Sequence, residues 1–224
     1  MRPSRAIPAT LAILAIAAPT AAARPTIRVE TVKREMVSPQ ASGSVRSYVD
    51  TDGAAHVLPA RSALGQIVAL GGRLDVPVGI QFFASFSSGL LQRFGSGQSA
   101  TGGWQFTVDG VPSQVGADAT VLPRNAEVVW WLIDDFATQG GLLPLDLDLV
   151  SKSRRGTVRF RVTRFDPATG RVRGAKGATL RVAGRSLTVP ASGNVSVRLR
   201  HGRRFHARAT AANSIRSEQI SGKA

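Results

Sequence analysis

From Leu145 to Ala209 the apolar residues fall on every second position, in short runs broken by glycine-containing turns. Leu145, Leu147 and Leu149 alternate with Asp146 and Asp148. Val158, Phe160 and Val162 alternate with Arg159 and Arg161. Val195, Val197 and Leu199 alternate with Ser196, Arg198 and Arg200, and Phe205, Ala207 and Ala209 with Arg204, His206 and Arg208. A period of two puts one set on each face of a β-strand, and no helix has that period. Thr179–Val182 and Ser186–Val189 read as further short strands around Gly184. The turns lie at Asp166–Gly170, Ser192–Asn194 and His201-Gly202. Six or seven strands at this spacing predict a small antiparallel β-sandwich over residues 143–224.

Residues 24–142 carry a different pattern. Trp104, Phe106 and Val108 alternate with Gln105 and Thr107, and Asp109-Gly110 turns the chain. Glu127–Ile133 reads E-V-V-W-W-L-I with no alternation, which predicts a central strand covered on both faces. Trp130 and Trp131 are adjacent and must therefore point to opposite faces. Ser62–Leu70 is the one helix signal: Leu64, Ile67 and Val68 share a face, and Gly71-Gly72 reads as the stop. Thr26–Lys33 and Ser44–Val49 read as strands, and Ser87–Gly103 as a loop with one short strand. Gly140, Gly141 and Pro144 form the expected link between two separate cores.

Charge divides the chain in the same place. Residues 25–150 hold 8 basic and 12 acidic side chains, net −4; residues 151–224 hold 18 and 2, net +16. A positive surface of that strength attracts polyanions or simply keeps the protein soluble. The chain has no cysteine, which excludes disulfides, thiolate metal sites and a thiol nucleophile. Its first 23 residues join Arg2 and Arg5 to an apolar stretch, Leu11–Ala18, and to Ala21-Ala22-Ala23. These are the three parts of a secretory signal peptide, and they predict an exported protein whose mature chain starts near Arg24.

Two resemblances go further. Gly103-Trp104-Gln105-Phe106-Thr107-Val108-Asp109-Gly110, then Gly116-Ala117, then Glu127-Val128-Val129-Trp130-Trp131 resembles an uncharacterised bacterial domain family related to the C-terminal domain of transcobalamin and intrinsic factor. The likeness covers roughly residues 27–138. Asp109 stands where the pattern has Asn, and Asn125-Ala126-Glu127 where it has Gly-Asp. The resemblance implies a β-grasp-like α+β domain, a small mixed sheet with one helix packed on it. It implies no cofactor, because cobalamin binding in those relatives goes with another large domain. Val172–Leu180, Ala191–Val195 and Gly202–Ala207 are similar to the carboxypeptidase-regulatory-like and bacterial Ig-like modules, which are usually non-catalytic spacers. The expected class is thus mainly β, a β-grasp-like domain followed by a basic β-sandwich.

No nucleophile-and-base motif, phosphate loop or metal-ligand spacing occurs in the sequence, so no catalytic or metal residue is expected. His56 reads as an isolated surface residue. Asp134, Asp135, Asp146 and Asp148 are the one acidic grouping, and they read as a solvated strand end. Trp104, Trp130 and Trp131 are the candidates for stacking on a ligand. Arg159, Arg161, Arg198, Arg200, Arg204 and Arg208 are the candidates for holding a polyanion. The expected partner is an anionic cell-envelope polymer or another extracellular ligand, with non-specific nucleic-acid binding as the alternative and a small extracellular enzyme third.

Overall fold

The computed structural model of the chain describes residues 24–224, so the expected leader lies outside the described residues. The fold is mainly β, and its two modules follow one another along the chain. The first contains β1 (Thr26–Thr31), β2 (Glu35–Ala41), β3 (Ser47–Val49), β4 (Ala55–Val57), α1 (Ala63–Leu74), β5 (Val78–Phe83), β6 (Ser88–Phe94), β7 (Gly103–Val108), β8 (Val111–Pro112), β9 (Glu127–Ile133) and the short α2 (Phe136–Gln139). The main sheet has the order β2-β1-β9-β7-β8 and is mixed, since β1 runs parallel to β9 and the other pairs are antiparallel. Strand β9 is central and covered on both faces, as its unbroken apolar run requires.

Helix α1 packs on one face of that sheet. Leu64, Ile67 and Leu70 meet Ile27 and Val29 of β1 and Val128 and Trp130 of β9 in one buried cluster. The Ser62 hydroxyl accepts from Gly65 N–H at 3.0 Å and caps the first turn. The glycine pair does not stop the helix. Instead α1 continues through Gly71 and Gly72 to Leu74 and ends at Asp75, which takes the left-handed conformation at φ 53°. Packing explains Gly71: a Cβ there would lie 2.1 Å from Val78 Cγ2 of β5. Hairpins β3–β4 and β5–β6 cover the rest of the core. His56, expected as an isolated surface residue, is half-buried between Tyr48 and Phe82, and Asp50 holds its Nε2 at 2.7 Å.

The second module contains β10 (Leu143–Lys152), β11 (Thr157–Asp166), β12 (Arg171–Gly174), β13 (Thr179–Val182), β14 (Arg185–Thr188), β15 (Asn194–Arg198), β16 (Arg204–Thr210), β17 (Ser214–Ile215) and β18 (Ile220–Lys223). One sheet is β12-β11-β10-β17, with β15 paired to the first half of β11; the other is β14-β13-β16-β18. The alternating apolar set of each long strand meets in a common core, where Phe160 and Phe205 pack edge to face at 5.7 Å.

A third buried cluster joins the modules. Val129, Trp131 and Ile133 leave the face of β9 opposite α1 and pack on Ile215 of β17, with Leu142 and Leu143 beside them. The polar set of β1 lies at this junction too: Arg28 and Glu30 are both fully buried.

Candidate functional site

Strand β8 is only two residues long and pairs with Thr107 and Val108, so Gly103–Phe106 of β7 pairs with β9 on one side and, among the described residues, with no strand on the other. Asp109 N–H donates to Glu127 C=O at 2.8 Å. By antiparallel alternation, Trp104 and Phe106 therefore turn their backbone N–H and C=O groups away from β9. An open recess of about 360 Å³ lies against this edge. Trp104, Phe106, Leu90, Val115 and Leu143 form much of its wall. Leu90 and Val115 are 45% and 57% exposed at its lip. The volume is that of a small-ligand site.

The three candidate tryptophans all line this recess, but they contribute differently. Trp104 is partly exposed and meets Phe94 edge-on at 6.3 Å. Trp130 is buried and stacks on Phe106 at 4.8 Å. Trp131 is buried on the opposite face of β9, in the cluster between the modules. Trp104 therefore offers a surface for stacking, while Trp130 and Trp131 support the wall from behind.

A second recess of about 290 Å³ shares Leu143 with the first and includes Gly141, the neighbour of Gly140 in the first. Arg164 of β11 and Arg173 of β12 line it and stand directly opposite each other in the sheet register. Like charges in that position repel. Arg173 has a carboxylate near it, Asp166 at 3.5 Å, whereas Arg164 is exposed and has no ion pair among the described residues.

The basic candidates divide between two faces. Arg159, Arg161 and Arg198 lie on the outer face of the β10–β11–β15 sheet, where Arg159 is opposite Ser196, Arg161 opposite Asn194 and Arg198 opposite Thr157. Arg204 and Arg208 lie on the outer face of the other sheet. Arg208 is opposite Arg181, and Arg204 is opposite Lys223. Arg200 is exposed just beyond the end of β15. Arg208 departs from the expected free surface: Glu35 of β2 binds its guanidinium across the module boundary.

The acidic residues also group differently from the sequence expectation. Asp134 pairs with Lys33, and Asp135 caps α2 through Ala137 N–H. Asp146 instead joins Glu127 and Glu218, with one carboxylate oxygen of each lying within 4.8 Å of the others. Arg28 supplies the positive charge at this cluster, donating to Glu218 at 2.8 Å and to Leu145 C=O at 3.2 Å. Glu218 also accepts from Leu147 N–H at 3.0 Å. Burial pushes Glu218 up to about 8 and Glu127 up to about 7, with the neighbouring carboxylates adding to the rise and Arg28 opposing it. Asp146 is raised for the same reasons. Glu30, beside this group, is raised to about 7 by burial, against the pull of Arg28 and Arg216. Three carboxylates could hold a hard cation through oxygen, but here a guanidinium already bonds to one of them and partly neutralises the set.

The sequence reading missed Arg28, Glu30 and Glu218. One signal was available. Glu218 is one of two acids among residues 151–224, and its position in so basic a segment is the feature that marks it out. No base stands near a serine in the sequence pattern, yet His206 Nδ1 and Ser221 Oγ lie 2.7 Å apart. Gln219 is the other group at that nitrogen, at 3.3 Å. Among the described residues no carboxylate orients this imidazole, as a serine nucleophile's base requires.

Residues 89–134, from β6 to just beyond β9, match a family described as a domain of unknown function (DUF4430). That stretch includes Trp104, Phe106, Trp130 and Trp131, so it spans the aromatic wall of the first recess. No curated protein and no solved structure matches the chain.

Proposed function

We propose that the chain is an exported, non-catalytic binding protein, whose first module takes a ligand in the recess beside β7 and whose second holds it on an anionic polymer of the cell envelope. The placing of like charges carries this reading. Arg181 faces Arg208 and Arg204 faces Lys223 across adjacent strands, and Arg159 and Arg161 lie two residues apart on one face. Like charges directly opposite each other cost stability unless an anion lies between them; Arg161, by contrast, has Asp148 of β10 across from it. Glu35 answers Arg208; Arg159, Arg161, Arg181, Arg198, Arg200 and Arg204 have no ion pair among the described residues. Successive outward side chains on a strand are about 6.6 Å apart, so these guanidiniums form rows suited to repeated negative charges along a polymer.

Washing isolated envelopes tests the reading. The protein should stay bound in 0.1 M salt and come off in 1 M, as the Debye length falls from about 10 Å to about 3 Å. Changing Arg198, Arg200 and Arg204 to Ser should lower the salt needed for release. Release by nuclease at low salt would transfer the assignment to nucleic acid. Retention in 1 M salt would overturn the electrostatic tether.

A further inference from the structure

The two recesses at the module boundary differ in chemistry. The first is walled by aromatic and aliphatic side chains, with Leu90 and Val115 exposed at its lip. The second presents Arg164 and Arg173, which face each other across β11 and β12. Leu143 lines both, at the point where the chain passes from the first module into β10. We infer that the two recesses form one site for an amphipathic anion, with an apolar chain or ring against Trp104, Phe106 and Leu143 and a carboxylate or phosphate head between Arg164 and Arg173. The inference rests on the reading of the first recess as a ligand site.

The charges favour an anionic head over a neutral polar one. A guanidinium presents a planar fork of N–H donors that matches two oxygens of a carboxylate or phosphate. Two such groups carried on directly opposite residues repel each other, and an anion between them removes that repulsion. Asp166 lies 3.5 Å from Arg173 and supplies one negative charge against two positive ones. An apolar body is favoured because Leu90 and Val115 are large aliphatic side chains left in water where the recess opens. Covering them returns part of the hydrophobic free energy that their exposure withholds. The backbone N–H and C=O groups of Trp104 and Phe106 run along the same wall. An amide-linked apolar body could pair with them as an added strand would.

Fluorescent titration of the full chain tests the inference with two probes of nearly the same shape, anionic 1-anilinonaphthalene-8-sulfonate and neutral N-phenyl-1-naphthylamine. Both should bind, the anion on the order of tenfold more tightly, as charge-assisted hydrogen bonds imply. Changing Arg164 and Arg173 together to Ser should remove the preference and leave the neutral probe's affinity unchanged. Changing Arg159 and Arg161 to Ser, on the outer face, should leave both affinities unchanged. Displacement of the bound anion by dodecanoate or by dodecyl phosphate identifies the head group. Displacement by neither overturns the inference. Equal loss from both double variants also overturns it, because the preference would then come from the diffuse positive field. If both probes bind equally, the two-recess site fails while the apolar recess stands. If neither binds, the recess reading fails as well.

Discussion

Raising the pH from 5 to 8 should destabilise the protein through the junction between its modules. Glu30 is fully buried, and among the described residues neither of its carboxylate oxygens accepts a hydrogen bond, although Arg216 Nε approaches to 3.3 Å. Its carboxyl is raised to about 7, mainly by burial. Unfolded, it would titrate near 4.5. Between those values the folded chain holds a proton that the unfolded chain has released, so each step up in pH favours unfolding. The loss begins near pH 4.5 and is complete above about pH 7. At about 1.4 kcal/mol per unit, Glu30 alone accounts for about 3 kcal/mol. Glu127 and Glu218 act in the same direction, with the effect of Glu218 extending to about pH 8. These two share Arg28 and repel each other, so their effects do not add independently. Glu30 faces Arg28, Arg216, Glu35 and Arg208, which bear on its charge as well. Urea denaturation at half-unit steps of pH and constant ionic strength measures the slope. Glu30→Gln should lie within about 1 kcal/mol of the parent at pH 5 and exceed it by up to about 3 kcal/mol at pH 8. A parent stability that is flat or rising from pH 5 to 8, or a Glu30→Gln variant that keeps the full slope, would refute the reasoning.

Two further outcomes follow from the packing. Adjacent glycines in α1 should respond with opposite signs in thermal denaturation. Gly72→Ala, where a Cβ meets nothing within 4 Å, should stabilise by about 0.5–1 kcal/mol, whereas Gly71→Ala, which drives a Cβ against Val78, should cost about 1–3 kcal/mol. Trp131→Ala should cost about 3–5 kcal/mol in chemical denaturation, because Trp131 is buried between β9 and Ile215; a cost below about 1 kcal/mol would mean that the module boundary is not packed as described.

The parts of this fold that were legible in the sequence are those whose hydrophobic period matches their burial. The strands of the second module alternate because one face meets the core and the other meets water. Strand β9 does not alternate because helix and junction cover both its faces. Strand β1 lies beside β9 and has both faces covered too, yet it alternates. Its polar set, Arg28 and Glu30, is buried against a second module whose contribution, Arg216 and Glu218, comes about 190 residues later. Period alone reads such a strand as half-exposed. The distinction requires knowing what covers a face, and that information is non-local.

The candidate site was partly hidden for the same reason. Trp104 and Phe106 were visible as an alternating pair, but the free edge beside them exists because β8 is too short to cover it. Turn residues in the sequence do not set that length. Arg164 and Arg173 lay within the basic segment, yet nothing in their spacing set them apart from other arginines. Antiparallel pairing of β11 with β12 puts them opposite each other, and Leu143 brings that pair to the apolar recess. The charge of the second module is therefore placed in two ways. On the outer faces of its sheets the arginines project into water. At the boundary two exposed arginines stand opposite each other beside an apolar wall, and the proposed ligand site rests on that second arrangement.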